Sequence, residues 1–282
     1  DVAQFPRGPT VIGFVARQVE ALQLAVRFLT TLPTFALKPP STTTTTSTPS
    51  STPELHADNA AAQGLSLLWY PAVGLLLGVL LTLACSVLPL PFYLQAVLTV
   101  VMWIALTGGL HLDGVADSAD AWVGGLGDRE RTLLLLKDPL CGSMGVIALV
   151  AVLVLKATAL AAVIQIGQVM WLWSVPLLAR LSLLLLFLTT RYVREQGLGE
   201  VLAQHFSRAW ARRVLFIMAL ALLCILPLDL WGASLMTALA IFLLLRWAAM
   251  RRLGGFTGDV AGAQVELVEV ALLLVLASRS VA

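Results

Sequence analysis

Residues 64–88 run for 25 positions without one Asp, Glu, Lys or Arg. No other feature constrains the fold as much. A bilayer core of about 30 Å needs roughly 20 helical residues to cross it, so this run has the length of a transmembrane helix. Lipid offers no hydrogen-bond partners to a backbone, which leaves helices or closed barrels as spanning structures. Barrel strands alternate polar and apolar residues, and this run does not. The whole chain follows suit: of its 282 residues 59% are hydrophobic and 12% charged, about half the charged fraction of a soluble domain. The expectation is an all-α, polytopic membrane helical bundle of about seven transmembrane helices plus an N-terminal amphipathic helix.

The expected spans are 64–88, 94–112, 142–166, 169–190, 214–228, 230–246 and about 262–278. Ahead of them, residues 11–32 place apolar positions at helical spacing with charges between, as in a helix lying on a membrane or against a bundle. Residues 39–53 are wholly Pro, Ser, Thr and one-letter repeats of them, a composition that buries no core. This divides the chain into an N-terminal segment (1–38), a disordered linker (39–60) and a transmembrane catalytic domain (61–282).

Three connections between spans are brief and lack Lys and Arg, whereas 113–141, 191–213 and 247–261 are long and polar. Tight hairpins would put these long loops and the N-terminus on one side. That side then carries 15 of the 18 Lys and Arg residues, the mark of a cytoplasmic face. A net charge of +2 gives no reason to expect a nucleic-acid partner. The three cysteines are scattered without metal-ligand spacing. Cys85 and Cys224, within apolar runs, are expected to be packing residues. No cleavable signal peptide is expected, because residues 11–31 lack an apolar core.

Within these loops lie the residues suited to chemistry. Asp113, Asp117 and Asp120 fall at i, i+4 and i+7, within a sector of about 60° on a helix. Three such carboxylates repel one another unless a cation sits between them, and oxygen ligands beside water and phosphate suit Mg²⁺ or Mn²⁺. A solvated acidic loop is the bland alternative. The proximity of a membrane span, where charge is costly, favours a metal site. A second stretch, Lys137 to Gly145, sets Asp138, Gly142 and Gly145 at the mouth of a helix, where free N–H groups favour phosphate; close helix packing is the other use of such glycines. A third sets Asp259 in a Gly-rich turn before Glu266 and Glu269. Arg180 and Lys156 lie deep in spans. Either they pair with Glu266 or Glu269 to hold the bundle together, or Arg180 lines a cavity and binds substrate. His111 is a candidate base or a structural residue.

Four blocks in order, GGLHLDGVADSADAW, KDPLCGSMG, RYVREQGLGE and GGFTGDVAGAQVELVE, resemble the cobalamin synthase family, the adenosylcobinamide-GDP ribazoletransferases. The likeness runs from the FLTTLP segment at Phe28 almost to the C-terminus. It departs from the family at Leu140, where many relatives carry a basic residue, at Gln196, where an acid is frequent, and in the Pro/Ser/Thr insertion. The resemblance implies an inner-membrane transferase that joins α-ribazole, or its 5′-phosphate, to adenosylcobinamide-GDP with Mg²⁺ and releases GMP. It implies catalytic and metal-binding roles for Asp113, Asp117 and Asp120. Substrate binding is expected from Asp138, Gly142, Gly145, Arg180, Asp259 and Glu266. The lipid bilayer is the expected surrounding, and a homo-oligomer is compatible with it. Two rival readings are a CDP-alcohol phosphotransferase, whose motif expects Ala-Arg where Ala116-Asp117 stands, and a cation-coupled transporter, whose acids would lie nearer the membrane midplane.

Overall fold

The computed structural model describes residues 11–34, 53–194 and 197–279. Among them are twelve α-helices and no β-strand beyond one isolated bridge. In chain order they are α1 (Val11–Leu29), α2 (Pro53–Ser66), α3 (Tyr70–Val87), α4 (Phe92–Thr107), α5 (Leu110–Gly124) and α6 (Arg129–Leu135). There follow α7 (Ser143–Gln165), α8 (Ser174–Thr189), α9 (Leu198–His205), α10 (Arg208–Ile225), α11 (Leu228–Leu253) and α12 (Gly258–Ala277). Helix α1 is the amphipathic helix expected near the N-terminus. Of the linker expected over 39–60, residues up to 52 lie outside the described ones. From Pro53 the chain is already helical, so that boundary moves. Proline is favoured in a first helical turn, where its missing N–H costs nothing, and the Ala-rich stretch after it propagates the helix.

Five helical stretches are long and apolar enough to cross a membrane: Ala60–Val87, Ser143–Gln165, Val169–Thr189, Leu228–Leu253 and Gly258–Ala277. Counting α4 and α5 together as one bent span gives six rather than seven. The difference from expectation has two sources. Helix α10 carries Arg208, Arg212 and Arg213 in its first two turns, so its 18 residues do not count as a span by composition, although it leads from the loop end toward the end where Asp229 meets Arg279. Its Cys224, expected to pack inside, is exposed, whereas Cys85 is buried. The other source is the expected span 94–112, which is broken. Gly108 and Gly109 both adopt left-handed backbone (φ 63° and 71°), a conformation glycine reaches without a Cβ clash. Helix α4 ends there, and α5 leaves at 90° to it. Helix α5, with 15 residues and three aspartates, is too short and too acidic to cross; we read it as running along one end of the bundle. Thr31, just past α1, fixes the corner. Its amide donates to Leu106 O at 2.8 Å and its hydroxyl to Ala105 O at 2.8 Å, satisfying carbonyls that the helix end leaves free.

Helix α12 is the centre of the bundle and packs against α5, α7, α8 and α11. Outward faces of α4, α7 and α11 expose Val101, Ile147, Val150, Val154, Leu243 and Leu244, as lipid-facing surfaces do. The long loops meet at one end. Arg129 Nε donates to Leu253 O at 2.8 Å, Arg252 to Trp122 O at 3.2 Å, and Arg246 Nε to Thr190 Oγ1 at 3.0 Å. Arg279 pairs with Asp229 at 3.0 Å, joining the far end of α12 to the start of α11. The long polar loops are thus tied together at one end of the bundle.

Candidate active site

The strand-like segment after α8 is tied to the turn before α12. Val193 N donates to Phe256 O at 3.0 Å, and Phe256 N to Arg191 O at 2.9 Å. This pairing places Arg194 beside the first turn of α12, where its guanidinium meets Asp259 at 2.9 Å. Thr257 caps α12 by accepting from Val260 N at 3.4 Å, and its hydroxyl donates to the Asp259 carboxylate at 3.2 Å, holding it toward Arg194. On the other side, α5 lies directly on α12. A Cβ on Gly114 would meet the Asp259 carbonyl oxygen at 2.5 Å, so only glycine lets these helices approach so closely. Asp113, next to Gly114, and Asp259 consequently line one cavity of about 370 Å³.

Asp117, one turn along α5, shares the field of both. Burial first, then the charges of Asp113 and Asp259, raises it to about 6, against the pull of Arg194. A carboxylate surrounded by carboxylates in this way has spare affinity for a cation. Among the described residues, no three acids, histidines or cysteines lie close enough to enclose a metal ion by themselves. Mg²⁺ does not require that, because it retains waters and is commonly held by one or two carboxylates together with substrate phosphates. Asp113 and Asp117, with Asp259 opposite, suit such a shared site.

The structure redirects several other residues. Asp120 adds its charge to the field that raises Asp117, but its carboxylate accepts from Gly142 N at 2.7 Å and Gly145 N at 2.8 Å, so the amides expected to hold phosphate hold Asp120 instead. Asp138 is exposed, accepts from Leu140 N at 3.0 Å and does not line the cavity. Glu266 and Arg180 are also absent from the cavity wall. Lys156 Nζ donates to Glu266 at 2.7 Å and to Glu269 at 2.6 Å, and Glu269 also pairs with Arg180. All four side chains are buried. Charge at that depth is stabilised by pairing, which is the bundle-holding role weighed for them. His111 is buried in the cavity wall.

Sequence reasoning gave no role to Arg194, Tyr70 or Phe187. Arg194 stood within the RYVREQGLGE block and Phe28 within FLTTLP, so both lay in stretches already singled out. No spacing rule relates them to Asp259 or Asp113.

A family model described as cobalamin-5-phosphate synthase matches residues 21–277. The chain belongs to this family. Among cobalamin-5-phosphate synthase relatives, the adenosylcobinamide-GDP ribazoletransferase of Ectopseudomonas mendocina (strain ymp) is 52% identical over 217 residues, covering 76% of this chain and 88% of its own. That of Pseudomonas fluorescens (strain Pf-5) is 53% identical over 213 residues, covering 75% and 87%. That of Pseudomonas putida (strain KT2440) is 51% identical over 216 residues, covering 76% and 88%. No solved structure is matched by the chain.

Proposed function

We propose that the protein is an adenosylcobinamide-GDP ribazoletransferase of the cytoplasmic membrane, with its active site on the cytoplasmic face. It joins α-ribazole, or its 5′-phosphate, to adenosylcobinamide-GDP and releases GMP, the nucleotide-loop assembly step of cobamide synthesis. The family and the names of its relatives support the reaction. The observation that carries the site is the meeting of Asp113, Asp259 and Arg194 at one cavity, drawn from three separate segments. The concentration of Lys and Arg in the loops at that end supports the cytoplasmic orientation.

The chemistry is an in-line displacement at phosphorus. The ribazole 3′-oxygen forms a bond to the phosphorus that carries the cobinamide, and the bond from that phosphorus to the oxygen of GMP breaks. The hydroxyl proton passes to a carboxylate. Such a transfer depends on positioning and charge neutralisation more than on covalent help from protein. Arg194, anchored by Asp259, is placed to pair with a diphosphate oxygen. Asp117, raised to about 6 by burial and its acidic neighbours, is still largely ionised at physiological pH, as a ligand for a cation must be. Asp113 and Asp117 would hold Mg²⁺, which when bound neutralises diphosphate charge. The test is direct: purified protein with adenosylcobinamide-GDP, α-ribazole and Mg²⁺, followed for cobamide and GMP. Absence of both products in every detergent and lipid tried would refute this activity.

A further inference from the structure

The cavity beside Asp113 is uneven along its length. Charge gathers at its mouth, where Asp113 is exposed and Arg194 and Asp259 keep 30% and 15% of their side-chain surface open. Much of the remaining wall is apolar and buried: Leu29, Tyr70, Leu183, Phe187 and Leu202 are each less than one-tenth exposed, whereas Leu110 stays open. Phe28, on the rim, stacks on Tyr70 with centroids 6.0 Å apart and planes at 18°. A volume of about 370 Å³ is at the small end of the range for cavities that enclose organic molecules. A nucleoside has these dimensions and this polarity: one flat aromatic base, and one sugar bearing hydroxyls. A corrin macrocycle with its fringe of amides is far too large to enter.

Two polar atoms of residues in the wall support a ligand of that kind. His111 Nε2 is buried without a hydrogen-bond partner, and the buried Tyr70 hydroxyl has no partner beyond the Ser66 hydroxyl beside it, which itself donates to Gln63 O at 2.6 Å. Buried polar groups are rarely left so, and a site built to receive a ligand is one setting in which they are. A small side-chain movement would let a ring nitrogen or a sugar hydroxyl pair with them.

We propose that this cavity is the acceptor subsite. It takes the nucleoside base-first against Tyr70 and Phe187 and holds the ribose at the mouth beside Asp113. The nucleotide-activated corrinoid stays outside the bundle and presents only its diphosphate, to Arg194. The N-terminal helix α1 is then part of the specificity wall through Phe28 and Leu29. The assignment of substrates rests on the activity proposed above.

The experiment varies each substrate separately with the full chain in detergent and measures α-ribazole binding by equilibrium dialysis. Leu183→Phe fills the cavity, and Tyr70→Phe removes only a hydroxyl. Leu183→Phe is expected to raise KM for α-ribazole about tenfold or more, the usual consequence of overfilling an apolar pocket. Tyr70→Phe is expected to raise it by about three- to tenfold, the worth of one hydrogen bond. KM for adenosylcobinamide-GDP stays unchanged in both. An elevated corrinoid KM instead, or a nucleoside KM indifferent to both changes, overturns the subsite while leaving the activity intact. Wild-type protein that binds α-ribazole but turns nothing over, with binding lost in Leu183→Phe, overturns the activity and keeps the subsite. Thermal midpoints accompany each variant; if Leu183→Phe does not fold, Tyr70→Phe decides.

Discussion

The Asp120 carboxylate accepts a hydrogen bond from the Gly145 amide at 2.8 Å while its other oxygen accepts from Gly142 at 2.7 Å. An acid on one helix thus caps the start of another, α7, where four amides lack intrahelical partners. Asp120 therefore differs from Asp113 and Asp117 in what its loss should do. Asp120→Ala leaves two amides uncapped and should cost about 1–3 kcal/mol of stability. Its activity should follow the folded fraction. Thermal unfolding in detergent, compared with turnover per folded molecule, separates the two effects; a normal midpoint with no turnover would return Asp120 to the chemistry.

Asp113→Asn and Asp117→Asn should behave in the opposite way. Both residues sit where like charge is concentrated, so neutralising either relieves repulsion and leaves folding intact. Turnover should fall by about 10²-fold or more, the scale for losing one electrostatic contributor. GMP release from the wild type should require Mg²⁺ or Mn²⁺ and stop with EDTA. Full activity in metal-free buffer would remove the metal from the reaction.

Arg194 is joined to Asp259 by the 2.9 Å ion pair. Arg194→Ala should raise KM for adenosylcobinamide-GDP and lower turnover together, by about 10-fold or more in kcat/KM, because a charge-assisted bond to phosphate is worth roughly 1.5–3 kcal/mol. Arg194→Lys should recover part of this, since lysine keeps the charge without the two-pronged geometry. Equal damage from Lys and Ala would show that geometry alone matters.

Stability should respond to pH through Asp117. Its folded-state pKa of about 6 lies above the ordinary 3.8, so between these values the folded protein binds more protons than the unfolded one. Stability therefore falls as pH rises through that window and does not fall further once Asp117 is fully ionised. Solvent screening at this partly exposed group limits the effect to about 1 kcal/mol or less. Mg²⁺ at pH 7.5 should restore what ionisation removes, and Asp117→Asn should flatten the slope. Midpoints at pH 5 and 7.5, with and without Mg²⁺, would show it. An unchanged slope in the variant assigns the effect elsewhere.

Breaking the buried cluster should be a matter of folding. Glu269 bridges Lys156 and Arg180, so Glu269→Gln leaves two buried cations short of charge. A loss of about 3–5 kcal/mol is expected, as for removal of one partner from a buried pair. Poor extraction from membranes, with residual molecules still active, is the outcome that matches. A stable but inactive Glu269→Gln would place the cluster in catalysis.

What could be read along the chain was whatever has a period or a local composition. Apolar runs of bilayer length, the i, i+4, i+7 aspartates and the lopsided arginines each lie within one segment, and so did the four blocks that marked the family. The turn at Gly108–Gly109 was visible as two glycines, but its consequence, a 90° bend that ends the expected span at Thr107, depends on Thr31 docking from α1. The same limit explains the aspartates. Spacing puts all three on one face, yet which of them is free depends on what that face meets. Gly142 and Gly145 take Asp120, while α12 brings Asp259 to Asp113. Arg180 and Glu266 were equally suited to substrate or to each other until the packing of α7, α8 and α12 buried them together. Hydrophobic periodicity and charge asymmetry are properties of segments, so the sequence alone determined that this chain is a membrane bundle with its polar loops at one end. A site is a set of distances between segments, set by close approaches such as Gly114 on Asp259, and only the tertiary structure decided those.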